Sequence, residues 1–251
     1  MIQTRKVPYI LNNRLDEVAS IGVIALATDA IIEREWRQLL DMPGVSFYLG
    51  RIASSPEVNP GTLRAMGPRM TDAMSTLLPD SELDCVVYAC TSGSLFIGEE
   101  QVCELIRKVR PGIAVTNPLT AVKAALRALG TRRVGMLTPY IDAVNQPLVQ
   151  TLINTGFEVP VVSSFLNDRD PEVVRINAAS IHNACLEMAK LKSIDTLYIA
   201  CTALAASALV PMLETQTGLA VTTSNHAMAW HALRLCNMTE SLGDRGRLFA
   251  I

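Results

Sequence analysis

The chain has 251 residues, 49% of them apolar, and a formal charge of only −2. That length buries a substantial core, as one large domain or as two similar lobes. The near-neutral balance argues against a general nucleic-acid binder, which needs a basic surface to displace counterions. No apolar run reaches the ~20 residues that span a bilayer, so a membrane is not an expected partner either.

Residues 1–13 carry one basic pair, Arg5-Lys6, and no apolar h-region, and do not read as a secretory signal. Short β-branched runs then alternate with longer helical stretches. Strands are predicted at Ser20–Ala27, Val45–Arg51, Cys85–Ala89 and Ala114–Thr116, and helices at Pro60–Leu77, Glu99–Lys108 and Ala121–Ala128. Gly130 follows the last of these as a C′ glycine, and the boundary between two lobes is expected near Gly130-Thr131-Arg132. A first lobe at 1–130 and a second at 131–251 result.

In the second half, strands are predicted at Arg133–Leu137, Glu158–Ser164, Thr196–Ala200 and Ala220–Thr222. Helices are predicted at Asn145–Thr155, closed by Gly156, and at Ala178–Leu191. Thr239–Ile251 is expected to pack back on the first lobe. Strand–helix alternation with nearly all-apolar strands implies an α/β protein: two pseudo-symmetric lobes, each a parallel sheet flanked by helices.

Pseudo-symmetry is written into the residues. Leu83-Asp84-Cys85-Val86-Val87-Tyr88-Ala89-Cys90-Thr91 is answered by Ile194-Asp195-Thr196-Leu197-Tyr198-Ile199-Ala200-Cys201-Thr202. Gly112-Ile113-Ala114-Val115-Thr116 is answered by Gly218-Leu219-Ala220-Val221-Thr222, and each precedes an apolar helical stretch ending in Ala-Leu-Arg, at Arg127 and Arg234. Ile21-Gly22-Val23-Ile24 with Asp29 pairs with Val134-Gly135-Met136-Leu137 with Asp142. Four anchors in one order, shifted by a little over a hundred residues, describe a duplicated half-domain.

Each copy ends by delivering Cys-Thr from a strand. Ligands of open α/β sheets bind beyond the carboxyl ends of the strands, so Cys90 and Cys201 are the candidate catalytic pair. A helix amino terminus after each would favour thiolate and anionic ligands. Hydroxyls of Thr91 and Ser92, and backbone amides near Thr202 and Ala203, are candidates to hold a substrate oxyanion.

Free cysteine is otherwise a small buried hydrophobe, and Cys85, Cys103, Cys185 and Cys236, inside apolar elements, fit that description. Six dispersed cysteines in a long chain suit reduced thiols in a cytoplasm better than a disulfide framework. Without a Cys-x-x-Cys pair, and with only His182, His226 and His231, zinc is not expected.

Other candidates are softer. Tyr140 stands at a strand end, where a phenol reaches a bound carboxylate or simply packs. Asp29 either binds substrate or caps a helix, as does its mate Asp142. Structural roles are expected for His226 and His231, and dipole complementation for Arg127 and Arg234. Leu148 and Leu152 read as core, with a dimer contact as the other use.

These segments resemble the aspartate/glutamate racemase superfamily, in the branch of maleate isomerases and arylmalonate decarboxylases. Ala89-Cys90-Thr91-Ser92-Gly93-Ser94 and Ala200-Cys201-Thr202 match its two cysteine motifs. Thr138-Pro139-Tyr140-Ile141-Asp142-Ala143-Val144-Asn145 and Gly246-Arg247-Leu248-Phe249 are similar to decarboxylase segments. The nearest likeness is to ectoine-utilization proteins of that branch. It rests on Leu26-Ala27-Thr28-Asp29, Asn117-Pro118-Leu119-Thr120-Ala121-Val122 and Ser224-Asn225-His226-Ala227-Met228-Ala229-Trp230-His231.

The resemblance implies chemistry without a cofactor at two facing thiols. It departs at two points: decarboxylases of the branch lack the first-lobe cysteine, and the isomerases and racemases carry asparagine where this chain has Asp29. An aspartate repels a substrate carboxylate unless it is protonated or meets a cation.

The leading expectation is an isomerase or racemase of a small carboxylate, in ectoine or hydroxyectoine breakdown. Its substrate-binding residues are Asp29, Thr91, Ser92, Tyr140, Thr202 and Ala203. The alternatives are a decarboxylase or lyase using Cys201 alone, and a non-catalytic metabolite-binding protein. The expected partner is the small carboxylate, with self-association into a homo-oligomer left open.

Overall fold

Eight short strands carry the apolar runs, and in the computed structural model, which describes residues 2–11, 18–191 and 193–251, they pair in parallel. The first sheet comprises β1 (Ala19–Leu26), β2 (Val45–Ile52), β3 (Cys85–Ala89) and β4 (Ala114–Thr116), in the order β2-β1-β3-β4. The second comprises β5 (Arg133–Thr138), β6 (Glu158–Ser164), β7 (Thr196–Ile199) and β8 (Ala220–Thr223), in the order β6-β5-β7-β8. Adding four to each strand number converts one sheet into the other.

Strands β1, β3, β7 and β8 are buried along their whole length, as strands covered on both faces must be. The covers are α1 (Ile32–Leu39), α2 (Pro60–Arg64), α3 (Arg69–Thr76), α4 (Thr91–Ile97), α5 (Glu99–Arg107), α6 (Pro118–Ala128), α7 (Asp142–Asn154), α8 (Asp170–Val173), α9 (Ala178–Ala189), α10 (Val210–Thr217) and α11 (Ser224–Leu235).

The helix expected over Pro60–Leu77 is broken into α2 and α3. Pro68 sits at the break, lacks an N–H and clashes with the preceding turn. Leu148 and Leu152 are fully buried in α7 and belong to the core. No helix among the described residues is long and apolar enough to cross a membrane.

The two sheets are knitted together by α11, which follows β8 yet lies against β3, β4 and α6. It is buried nearly all round, polar Ser224, Asn225 and His226 included, as a helix lying in a slot between elements must be. There, His231 Nδ1 lies 2.8 Å from Thr116 Oγ1, and Cys85 Sγ lies 3.7 Å from Cys236 Sγ. Contact with the first half is made by α11 as well as from within Thr239–Ile251. The tail itself packs on β8 and α10, and Arg245 reaches across to the carbonyls of Leu39 and Asp41.

Candidate active site

Cys90 leaves the end of β3 in extended conformation and caps α4, its Sγ accepting the N–H of Gly93 at 3.2 Å. The Cys90 carbonyl accepts Ser94 Oγ at 2.7 Å, so the first turn is tied to the cysteine from both ends. Gly93 is a spatial necessity: a Cβ there would strike the Tyr88 hydroxyl and stand 2.9 Å from Cys90 Sγ. A glycine and short hydroxyl residues make α4 a poor helix by propensity, yet the helix start expected after Cys90 is present.

Cys201 holds the matched place after β7 but not the matched conformation. Its φ is +136°, a region that side chains rarely adopt, and strain of this kind persists only where neighbours enforce it. The enforcers are visible. Ser224 Oγ, at the start of α11, accepts the Cys201 N–H at 3.1 Å and the Thr91 hydroxyl at 2.9 Å. One hydroxyl thus ties both cysteine loops together.

Asn225 Nδ2 donates to the Thr202 carbonyl at 2.9 Å and to Glu35 Oε2 at 2.7 Å, while Glu35 also accepts the N–H and hydroxyl of Ser207. The helix start expected directly after Cys201 is absent. Residues 202–204 form a turn, and the next helical residues begin at Ser207. The acyl-binding potential of this side therefore rests on turn amides, of which Ala203 N–H points at Cys201 Sγ at 3.4 Å.

Both thiols line one cavity, together with Asp29, Thr91, Ser92, Tyr140, Thr202 and Ala203. Tyr140 is delivered by a clamped turn after β5: its carbonyl accepts Asn145 Nδ2 at 2.7 Å and Ser164 Oγ at 2.5 Å. Asp29 does cap α1, its Oδ1 accepting the N–H groups of Ile31 and Ile32 at 2.7 and 2.9 Å. Its Oδ2 is buried without a hydrogen-bond partner.

The space left for water centres is about 20 Å³, enough for one molecule. The cover comes from residues 54–66 and 165–170, joined by an antiparallel bridge between Glu57 and Arg169. Val58 N–H donates to the Asp168 carbonyl at 2.7 Å, and Thr28 Oγ1 donates to Asp170 Oδ2 at 2.8 Å.

The family model for arylmalonate decarboxylase matches residues 62–249. The chain belongs to the arylmalonate decarboxylase family. A stretch of 141 residues is 32% identical to arylmalonate decarboxylase of Bordetella bronchiseptica, covering 55% of this chain and 58% of that enzyme. Maleate isomerase of Nocardia farcinica is 25% identical over 242 residues, 92% of this chain and 95% of that one.

Among solved structures, Nocardia farcinica maleate cis-trans isomerase superposes with a TM-score of 0.81 at 23% identity, over 92% of this chain and 98% of that one. A liganded double mutant of arylmalonate decarboxylase superposes with a TM-score of 0.78 at 25% identity, over 89% of this chain and 94% of that one. Isomerases and decarboxylases of small carboxylates are thus this chain's relatives, and the two-lobed α/β fold is theirs.

Burial first, and the Asp170 carboxylate second, push the Cys90 thiol up to about 12, against the opposing pull of the Gly93 N–H and the Ser92 and Tyr88 hydroxyls. Cys201 is raised further by the same two causes, although Tyr140 and the Ala203 N–H favour its thiolate. Helix and turn amides were expected to make thiolates here; in the closed cavity, burial and a facing carboxylate outweigh them.

Asp170 is a charged lining residue that sequence reasoning missed, as is Glu57. Asp170 opens a four-residue helix and looks like an ordinary capping acid, with no local signal of its placement over the thiols. Ser224 and Glu35 were missed for the same reason. His226 lies outside the cavity, fully buried between Thr222 Oγ1 and the Arg245 carbonyl and beside the Phe249 ring. Asp142 is exposed at the start of α7, so the duplication did not preserve the Asp29 role. Arg127 and Arg234 end α6 and α11 away from the site.

Proposed function

We propose that this protein is an isomerase or racemase of a small carboxylate, working through Cys90 and Cys201 without a cofactor. The observation that carries this reading is the meeting of two strand-end thiols, one from each sheet, in one covered cavity beside Tyr140. In a racemase step, one sulfur as thiolate takes the α-proton while the other thiol gives its proton to the opposite face, leaving the roles exchanged. In a cis-trans step, Cys90 thiolate adds to one alkene carbon while the Cys201 thiol protonates its neighbour. Rotation about the new single bond and elimination then restore the alkene and both sulfurs. The hydroxyls of Thr91 and Ser92 and the amides at Thr202 and Ala203 would receive the enediolate charge, with Tyr140 favouring thiolate at Cys201.

A Nocardia farcinica isomerase mutant has been solved with a covalent succinylcysteine intermediate, a precedent in that protein for the addition step. The setting we infer is the cytoplasm, in ectoine or hydroxyectoine breakdown. Support for it is the likeness of Leu26–Asp29, Asn117–Val122 and Ser224–His231 to ectoine-utilization proteins.

The family match itself favours a second reading, decarboxylation with Cys201 as the sole proton donor. Proton NMR in deuterated water separates the two, using maleate, aspartate, an arylmalonate and amino acids of ectoine breakdown. Deuterium uptake next to a carboxylate that disappears in both Cys90→Ala and Cys201→Ala is expected. Turnover retained in both variants would sink the two-thiol reading. Carbon dioxide release that persists in Cys90→Gly would favour the decarboxylase.

A further inference from the structure

The cavity that receives a carboxylate in this reading is itself acidic. Asp29, Glu57 and Asp170 line it, and among the described residues no lysine, arginine or histidine does. Arg51, a cation that acts on Asp29, is engaged elsewhere: its Nη1 donates to the carbonyls of Leu26 and Asp29, and its Nη2 pairs with Glu33.

Two of the acids are held in place as receptors are. Asp29 is 4% exposed, with Oδ1 fixed by two backbone N–H groups and Oδ2 unpartnered. The Thr202 hydroxyl acts on it but does not reach hydrogen-bond geometry. Asp170 is oriented by the Thr28 hydroxyl, next in sequence to Asp29, and burial first, with the Asp29 charge after it, disfavours its ionisation. A buried carboxylate oxygen without a partner is costly, and a second nearby charge adds to that cost. Chains retain such a pair when a cation completes it.

We propose that Asp29 and Asp170 form a seat for a cationic nitrogen, so that the substrate is a zwitterion carrying an ammonium or amidinium group beside its carboxylate. This deepens the two-thiol reading and rests on it. The carboxylate end would face the hydroxyls and amides of the cysteine loops, and the nitrogen would face the acids across the cavity. A cation placed there also cancels the field of Asp170 at both sulfurs, the second cause that keeps them protonated. Binding of the correct substrate would thereby release thiolate, while a nitrogen-free dicarboxylate would meet like charge and leave the thiols inert.

Thiol-specific reagents of different charge test the seat without knowledge of the substrate. Cationic aminoethyl, anionic sulfonatoethyl and neutral methyl methanethiosulfonate are applied to the full chain near neutral pH, and each rate is divided by that for free cysteine. Labelling of Cys90 and Cys201 is read by mass spectrometry. The cationic reagent is expected to be favoured over the anionic by roughly tenfold or more, the scale of focusing by charges in a cleft. Asp29→Asn and Asp170→Asn should each reduce that ratio severalfold; Asp29→Asn keeps the oxygen that caps α1.

An anionic reagent that reacts as fast as the cationic one overturns the seat. A preference that survives both substitutions overturns its assignment to these two residues. Failure of even the neutral reagent to reach either thiol overturns the two-thiol reading beneath it, which keeps the two failures distinct. In the same assay, aspartate and ectoine should protect the thiols where succinate and maleate do not. Protection by the nitrogen-free acids alone overturns the substrate class, and if no compound protects, the reagent ratio decides.

Discussion

The two cysteine loops begin alike and end differently. Both follow a buried parallel strand with Ala-Cys-Thr, and both sulfurs face one cavity. Cys90 is relaxed and extended, at φ −151°, and caps a helix rich in hydroxyls. Cys201 is strained, at φ +136°, and opens a turn followed by apolar residues. Duplication thus preserved where the thiol stands and let the surrounding donors diverge. A symmetric pair of positions can in this way serve an asymmetric reaction, with one sulfur better placed to hold charge and the other to hand over a proton.

The largest test of that comparison is chemical. Burial, and Asp170 after it, push the Cys90 thiol from 9.0 up to about 12. At pH 8, its thiolate fraction is about a thousandfold below that of an unshifted thiol, since each unit is a factor of ten. Iodoacetamide alkylation should be slower by about that factor and should rise with pH until about 12. The sign for stability is that of a raised pKa: the thiol's contribution is complete below about 9 and is lost as pH climbs through about 12. Cys201 should behave likewise, and a rate for either thiol near that of free cysteine would contradict the closed, acid-facing cavity.

A smaller effect distinguishes how tightly each loop is packed. Gly93→Ala drives a methyl into the Tyr88 hydroxyl, Cys90 Sγ and Met66 Cε. Overpacking of this kind costs about 1–3 kcal/mol, or roughly 2–4 °C in Tm per kcal/mol for a chain of this size. The second loop carries Leu204 at the matching place, so the demand for glycine belongs to the first loop alone. An unchanged Tm and unchanged turnover in Gly93→Ala would refute this packing.

The smallest effect concerns backbone strain. Glycine is ordinarily about 0.5–1 kcal/mol less stable than alanine in regular structure, and the extended Cys90 should follow that order. At Cys201 the order should invert, with Cys201→Gly more stable than Cys201→Ala by about 1 kcal/mol in denaturant unfolding. The same order at both sites would mean that Cys201 is not strained.

Much of the fold was legible because apolar runs and their repeat are local features. Cys85–Ala89, Ala114–Thr116 and Glu158–Ser164 are strands at the boundaries their residues predict. The eight residues singled out for the site do line one cavity, because strand ends in a parallel sheet converge by topology. The breaking of Pro60–Leu77 was itself local, with Pro68 as its marker, whereas the helix start expected after Cys90 is present and the one after Cys201 is not. Nothing local marks Asp170 or Ser224, since each acts on groups far away in the chain.

By itself, then, the order of residues determined two matched parallel sheets and a thiol at the end of one strand in each. Burial patterns and strand ends depend on neighbours a few residues apart. Only the tertiary structure decided what those thiols experience. The crossing of α11 onto the first sheet brings Ser224 between the loops, and the bridge between Glu57 and Arg169 seats Asp170 over the sulfurs. Charge state in a closed cavity follows from distance and lost water, and neither is fixed until distant segments meet.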